Sequence, residues 1–390
     1  MAAAAIVTNP TARVLQALPS PSEPMRIHRR PLSRENVHRA GLRRGVAGWA
    51  RTPISWSCLG AVLAASLAWA PPAGAGGAER TTPSSPSNPP SAAHGHFAGR
   101  IEIRGGRRLY LECRGSGRPT VVLESGLGNA ADVWGGAFLA ANDPASDPRQ
   151  AVLPAVARFT RVCAYDRPGT SRLDPQTDRF KPSRSDPVAM PRTALDIARD
   201  LHALLRNAPR AAGVRAPYVL AGHSVGGLTQ RLYATLHPRR VAGLVLIDAT
   251  PERYAALLGE LLANGLLTPQ QYAAVTAPIP PPGLENYSDY ERLTIDASGA
   301  QMRQAQADTP LPRMPLVFLS LPKLELPPDW RSEAVEAMER MYQAAQHALA
   351  KLVPGARQVI APASGHYIEL DQPNLVINAI RRVVRRARRH

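Results

Sequence analysis

Ala216-Pro217-Tyr218-Val219-Leu220-Ala221-Gly222-His223-Ser224-Val225-Gly226-Gly227-Leu228 is the stretch around which this chain is organised. Tyr218 to Ala221 is a short apolar run of the kind that makes a buried strand. Gly222-His223-Ser224-Val225-Gly226 follows as a G-x-S-x-G pattern, and a helical run continues to about His237. A serine on so sharp a strand-to-helix turn is held in a strained backbone. The flanking glycines keep side chains away from its hydroxyl. The helix that starts there aims free N–H groups and its positive end at the same point, which favours an oxyanion. The spacing marks Ser224 as a candidate nucleophile. The competing reading is a plain packing turn between strand and helix.

The rest of the composition narrows the classes open to the chain. At 390 residues it holds one large domain or two smaller ones, and 44% hydrophobic content supports a real core. The formal charge of +17 invites a nucleic-acid reading, so its location matters. Residues 1–80 hold ten Arg, no Lys and three Glu, a net +7, which leaves 17 − 7 = +10 for the remainder. Six arginines fall within the last ten residues alone. Aromatics are 5%, and no basic run is interleaved with the stacking residues that single-strand binders use. The charge sits mostly in the tails, and no nucleic-acid partner is expected. The Arg381–Arg389 cluster implies either weak contact with anionic surfaces or a solvated helix end.

Residues 1–77 read as an export signal with a long basic extension. Cys58 to Ala70 is a continuous apolar run, shorter than the ~20 residues of a membrane-spanning helix. Pro71-Pro72 break it, and Ala73-Gly74-Ala75 follows as a small-residue site. The expectation is an exported protein, periplasmic or secreted, or membrane-anchored if the segment is not removed. Translation starting at Met25 would shorten the basic flank. Residues 78–96 are Ser/Pro-rich, a disordered spacer by composition.

The folded domain is expected over 97–390. Gly99–Arg104 and Leu109–Cys113 alternate around a Gly105-Gly106 turn, which predicts a hairpin. Short apolar strands are predicted at Thr120–Glu124, Arg161–Tyr165, Val241–Ile247, Leu316–Leu319 and Gln358–Ala361. Helical spacing predicts helices over Ala151–Phe159, Thr193 to about Asn207, Glu333–Lys351, and Asn374 to the C-terminus. Strands alternating with helices imply an α/β fold with a mostly parallel sheet covered on both faces. Helical and Pro-rich pieces interrupt that rhythm from about 252 to 312. Such an insertion lies over the carboxyl ends of the strands and reads as a small lid.

Ser224 needs a base and an oxyanion hole. His366, in Ala363-Ser364-Gly365-His366-Tyr367-Ile368 just after the final strand, stands on the same sheet edge as the serine and is the candidate base. His202, His237 and His347 fall within helical patterns. His223 adjoins the serine, but neighbours on a tight turn diverge. The backbone N–H of Val225, and that of Leu127 in the turn Glu124-Ser125-Gly126-Leu127-Gly128, are the candidate oxyanion hole. No zinc spacing, P-loop or dinucleotide glycine pattern occurs, so neither cofactor nor metal is expected.

Over about Phe97–Arg388 the chain resembles the α/β-hydrolase superfamily. The match is carried by Val121–Gly128, Val162–Gly169, Gly222–Gly227, Leu244–Asp248, and Ser364–Ile368 with Asp371-Gln372-Pro373 after it. Glu124-Ser125-Gly126 replaces the His-Gly usual before the oxyanion turn, a side-chain change in a hole built from backbone. The resemblance implies an α/β-hydrolase fold with a small helical lid, and an Asp-x-x-Gly structural turn at Asp166 and Arg167. It also places a triad acid shortly after the Leu316 strand, where only Glu325 and Asp329 are found. Some members carry the acid after the preceding strand instead, where Asp248 stands. Asp248 is the choice and Glu325 the alternative.

The function implied is a serine hydrolase that cleaves an ester or related acyl bond of a small molecule through an acyl-enzyme. The same triad also hosts perhydrolysis or carbon–carbon bond hydrolysis, and the fold can serve a non-catalytic binding protein. Composition fixes neither the acyl substrate nor the oligomeric state. Of three cysteines, Cys58 lies in the signal. In the fold this sequence resembles, the strands of Cys113 and Cys163 are antiparallel neighbours. Facing residues there are within disulfide reach, and export favours the bond. A one-residue slip would leave two buried thiols.

Overall fold

The computed structural model describes residues 95–389, apart from Pro144, Pro175, Asp178, residues 278–283, 285 and 286, Glu325 and residues 327–329. The expected export signal and nearly all of the Ser/Pro spacer lie outside the described residues.

The strands are β1 Phe97–Glu102, β2 Arg108–Arg114, β3 Thr120–Glu124, β4 Val162–Tyr165, β5 Ser171–Asp174, β6 Arg179–Pro182, β7 Tyr218–His223, β8 Val241–Ile247, β9 Leu316–Ser320 and β10 Arg357–Ile360. Eight of them form one sheet in the order β1-β2-β4-β3-β7-β8-β9-β10. From β4 to β10 every pairing is parallel, and only the β1–β2–β4 edge is antiparallel. The helices are α1 Gly136–Asn142, α2 Val152–Ala157, α3 Ala194–Ala212, α4 Val225–Leu236, α5 Tyr254–Ala263, α6 Pro269–Thr276, α7 Ile295–Asp308, α8 Ser332–Ala350, α9 Ile368–Asp371 and α10 Pro373–Ala387. This is the α/β-hydrolase fold.

The central strands are apolar at every position because helices cover both faces. The pleat sends Val121, Leu123, Val219, Val245 and Ile247 to one core, with α2, α8 and α10. Val122, Leu220, Leu244, Leu246 and Phe318 go to the other, with α3 and α4. Helix α3 begins at a capping box in which Thr193 and Asp196 serve each other's backbone N–H. It runs five residues past the end expected near Asn207 because Ala208 and Ala212 continue its buried stripe.

Two further elements were not legible in the sequence. The hairpin β5–β6 stands outside the main sheet, and Ser171-Arg172-Leu173-Asp174 lacks the alternation that marks a strand. Helix α1 is one short piece of seven residues. The segment 252–312 contributes α5, α6 and α7. Helix α7 is tied to the start of α3, where Ser298 Oγ and Gln301 Oε1 accept from the N–H groups of Ala194 and Leu195.

Cys113 on β2 faces Cys163 on β4 in register, and the two are joined by a disulfide. The bond links the antiparallel edge to the parallel sheet across a sequence separation of 50. In the chain-entropy description such a loop is worth about 4 kcal/mol. Cys113→Ala/Cys163→Ala should therefore lower unfolding stability by roughly 2–4 kcal/mol, read by urea denaturation. Peptides carrying the two cysteines should resist alkylation until reductant is added. Alkylation of both in unreduced, denatured protein would refute the bond.

Candidate active site

Strand β7 delivers Ser224 to the N-terminus of α4 with φ +53° and ψ −124°, a backbone that non-glycine residues rarely adopt. The turn is fixed by three backbone bonds. Ser224 N–H donates to the Ile247 carbonyl at 3.0 Å, and its own carbonyl accepts from Gly227 and Thr250, each at 3.0 Å. A side chain at Gly226 would lie 2.5 Å from the Glu124 carbonyl, so only glycine lets the turn approach β3 this closely. The β3 turn comes equally near from the other side. A Cβ at Gly126 would sit 2.9 Å from His223 Nδ1 and 3.4 Å from Ser224 Cβ.

His366 lies in the loop between β10 and α9, and its Nδ1 is 2.6 Å from Asp248 Oδ2. Asp248 ends β8 with φ +38°, and its N–H donates to the Leu319 carbonyl of β9 at 2.9 Å. Its second oxygen accepts from the Tyr342 hydroxyl of α8 at 2.8 Å, and that hydroxyl accepts from the Leu321 N–H at 2.8 Å. Burial and the adjacent Asp248 carboxylate drive the Tyr342 phenol far above its ordinary range, so it stays a donor. Ser224 Oγ and His366 Nε2 are both buried, and among the described residues neither is engaged by another polar group.

Ser224, Asp248 and His366 line one small cavity of about 40 Å³ with Leu127 and Val225. Its remaining walls are mostly apolar, with Ala249 and Pro251 beyond β8 and Tyr254 and Ile295 from the insertion. All five residues singled out in the sequence thus converge on one space. Glu325, the alternative acid, lies outside the described residues.

Residues 121–379, well over half of the chain, match the family described as Alpha/beta hydrolase family. The chain belongs to the alpha/beta hydrolase family. It is 26% identical over 333 residues to a protein named "Probable transporter efuK" from Hormonema carpetanum, covering 73% of this chain and 42% of that protein. The chain spans less than half the length of the curated relatives it matches. Among solved structures, Cfl2 from Burkholderia cenocepacia is similar at 19% identity and TM-score 0.47, covering 74% of this chain and 96% of that one. A thermophilic esterase from Thermogutta terrifontis is similar at 20% identity and TM-score 0.44, covering 75% and 99%.

Behind the cavity, this family member holds two buried polar assemblies. In the first, the Arg167 guanidinium donates to the Ser125 and Gly126 carbonyls, each at 2.7 Å, and to Glu291 at 2.6 and 2.8 Å. Glu291 also accepts from the Gly128 N–H at 2.8 Å. The turn from Ser125 to Gly128 is therefore clamped at three backbone points by one ion pair. Burial works against the Arg167 charge, but Glu291 and Glu124 outweigh it and raise its pKa. Burial pushes the neighbouring Glu124 carboxyl up to about 7, and it accepts from the Thr229 hydroxyl of α4 at 2.5 Å. Asp166 has a simpler role, accepting from the Ala131 N–H and the Arg184 guanidinium.

In the second assembly, His223 does turn away from Ser224 and lines no part of the cavity. Its ring nevertheless packs on His366 with centroids 4.5 Å apart, and its Nε2 lies 2.9 Å from the His366 carbonyl. Its Nδ1 lies 2.9 Å from Glu369 Oε1, at ion-pair distance though not aligned as a good hydrogen bond. Both side chains are fully buried. A sequence reading that weighed His223 only as a neighbour of the serine passes over this latch. Glu369 gives one signal, a carboxylate within a turn of His366, yet nothing in the sequence pairs it with position 223. His202 and His237 stack on each other at 4.0 Å, away from the cavity.

Burial alone would lower the His223 pKa, but the Glu369 carboxylate, aided by Asp248 and the His366 carbonyl, outweighs it and raises it. A raised value means the pair stabilises the fold fully below about pH 6.5. The contribution fades as pH climbs through the folded-state value. Glu369→Gln should therefore lower stability at pH 6, and distinctly less at pH 9. Urea unfolding at the two pH values checks this. A loss equal at both would show that charge on His223 plays no part.

Proposed function

We propose that this hydrolase cleaves carboxylic esters of small molecules, with Ser224 as nucleophile, His366 as base and Asp248 as the acid that orients it. The observation that carries this reading is the 2.6 Å contact of His366 Nδ1 with Asp248 Oδ2 beside a serine in a strained turn, all on one cavity. Ser224 Oγ attacks the ester carbonyl as its proton passes to His366 Nε2. Asp248 holds the proton on Nδ1, fixes the tautomer and stabilises the imidazolium that forms. The first N–H of α4, on Val225, has no acceptor one turn back, and the oxygen of the tetrahedral intermediate takes it together with the Leu127 N–H. His366 then returns its proton to the leaving alcohol, and water releases the acyl group by the same steps in reverse.

The small cavity, with its apolar walls, supports a short acyl group over a long one. Tyr254 and Ile295 bring the insertion into that wall, so the lid takes part in acyl selection. The protein is proposed to act outside the cytoplasm, on the strength of its N-terminal apolar run and its disulfide.

Ser224→Ala should abolish fluorophosphonate labelling and lower hydrolysis of p-nitrophenyl acetate by several orders of magnitude. Asp248→Asn should lower turnover by roughly 10²–10⁴, whereas Glu325→Gln should leave it near wild type. Labelling mapped to another residue, or most activity kept in Ser224→Ala, would end the proposal. The reverse ranking of the two acids would move the triad acid to the segment after β9.

A further inference from the structure

The far end of the domain carries a second feature, unrelated to the cavity at Ser224. Arg381, Arg382, Arg385, Arg386 and Arg389 of the C-terminal helix and its tail join Arg357 of β10 around an open groove of about 680 Å³. The five helical and tail guanidiniums and Arg357 are all exposed. Among the described residues, no carboxylate lies within ion-pair distance of any of them.

Folding gives this cluster little reason to exist. Arg388 shows what a structural arginine on this helix looks like, donating to the Arg118 and Phe159 carbonyls at 2.8 and 2.9 Å. Arg381 bonds Asn378 and lies over the Phe159 ring at 4.8 Å, but its charge is left uncompensated. The negative pole at the helix C-terminus favours cations only in the last turn, so it does not account for Arg381, Arg382 or Arg357. Arg381/Arg385, Arg382/Arg386 and Arg385/Arg389 are four apart, a spacing at which like charges repel. The apolar side of the same helix is spent on the core through Val376, Ile380, Val383 and Val384. What remains outward is almost purely cationic.

The orientation of the groove points to a partner. Helix α10 starts just after the His366 loop and descends 15 residues, about 22 Å, to the opposite edge of the sheet. The groove therefore faces away from the cavity. The described chain also begins at that edge. The Gly95 carbonyl accepts from Arg161 at 3.3 Å, and the same guanidinium holds the Gly115 carbonyl at 2.9 Å. The turn from Gly115 to Pro119 is in turn the one that receives Arg388. The chain that precedes residue 95, with the apolar run Cys58–Ala70 in its sequence, is therefore continuous with the arginine side of the domain.

We propose that this face docks on an anionic phospholipid bilayer, with the guanidiniums on lipid phosphates and the hydrolase cavity turned outward to a soluble substrate. Arginine suits phosphate because its planar fork donates two parallel bonds. Near an anionic surface each such charge is worth about fivefold in affinity. The full chain should co-sediment with phosphatidylglycerol vesicles more than with phosphatidylcholine vesicles, the excess falling sharply between 0.05 and 0.5 M salt. Arg382→Gln/Arg385→Gln/Arg386→Gln/Arg389→Gln should lower the phosphatidylglycerol excess by roughly several hundredfold, with phosphatidylcholine binding and thermal midpoint unchanged.

A charge-matched control, Arg199→Gln/Arg206→Gln/Arg215→Gln/Arg313→Gln, should keep most of the excess. Equal loss in both variants would reduce the effect to net charge and overturn the groove. Undiminished binding in the groove variant would overturn it as well. Displacement of the wild type from vesicles by substoichiometric single-stranded DNA or polyphosphate would move the assignment to a soluble polyanion.

Discussion

The backbone of Ser224 is held where a non-glycine residue does not rest, and much of the site follows from what holds it there. A positive φ at such a position costs on the order of 1–3 kcal/mol and persists only when the surroundings fix it from several sides. Here β8 supplies the Ile247 carbonyl, the residues after β8 supply the Thr250 N–H, and α4 closes the turn through Gly227. The contact of Gly226 with the Glu124 carbonyl brings the end of β3 against the same turn. Two parallel strands and one helix are thus committed to a single residue. A parallel sheet makes this geometry available because it ends all its central strands on one edge.

That close approach of β3 creates a second problem, which the chain solves with buried charge. Glu124 is driven into the core beneath α4, where burial holds its carboxyl up near 7 and Thr229 donates to it. The turn that follows has backbone carbonyls at Ser125 and Gly126 facing inward, and Arg167 satisfies both. A buried guanidinium needs a counter-charge, and Glu291 provides it from the insertion. The insertion is therefore fastened to the turn that carries Leu127 as well as lying over the cavity. Displacing the segment around Glu291 would leave Arg167 with a single, more distant carboxylate at 3.7 Å. The position of the insertion and the geometry of the Ser125–Gly128 turn are coupled through one ion pair.

Local chemistry was legible in the sequence, and long-range pairing was not. Ser224, Val225 and Leu127 announce themselves through glycine patterns whose physical meaning is confined to a few residues. The sheet could be read because each central strand is a short apolar run bounded by turn residues. Helix α3 overran its expected end only because alanines at 208 and 212 extend the buried stripe with little hydrophobic signal. Strands β5 and β6 are polar and pair only with each other, so no burial pattern betrays them. The resemblance placed Asp248 as one of two choices, since its selection depends on how β8 and β9 bring their ends together. Tyr342, Glu369 and Glu291 left no usable trace. Each acts on a partner ninety or more residues away, a distance at which sequence spacing says nothing about contact.

The distribution of polarity around the cavity has a consequence for its chemistry. The walls nearest Ser224 are mostly apolar, while the ionised groups Arg167 and Glu291, and the His223–Glu369 pair, lie one layer back with their charges matched. Paired charges at that depth exert little net field on the cavity, but they fix the backbone that frames it. The field at Ser224 is left to the groups that touch the cavity directly: Asp248 through His366, and the start of α4. In so poorly solvated a space, the Asp248–His366 interaction is stronger than the same contact in water. The Tyr342 hydroxyl donates to Oδ1, which holds the Asp248 carboxylate in place and leaves Oδ2 to His366. The proposed proton relay thus depends on a phenol from α8, a helix that reaches the site only because the parallel order sets β9 beside β8.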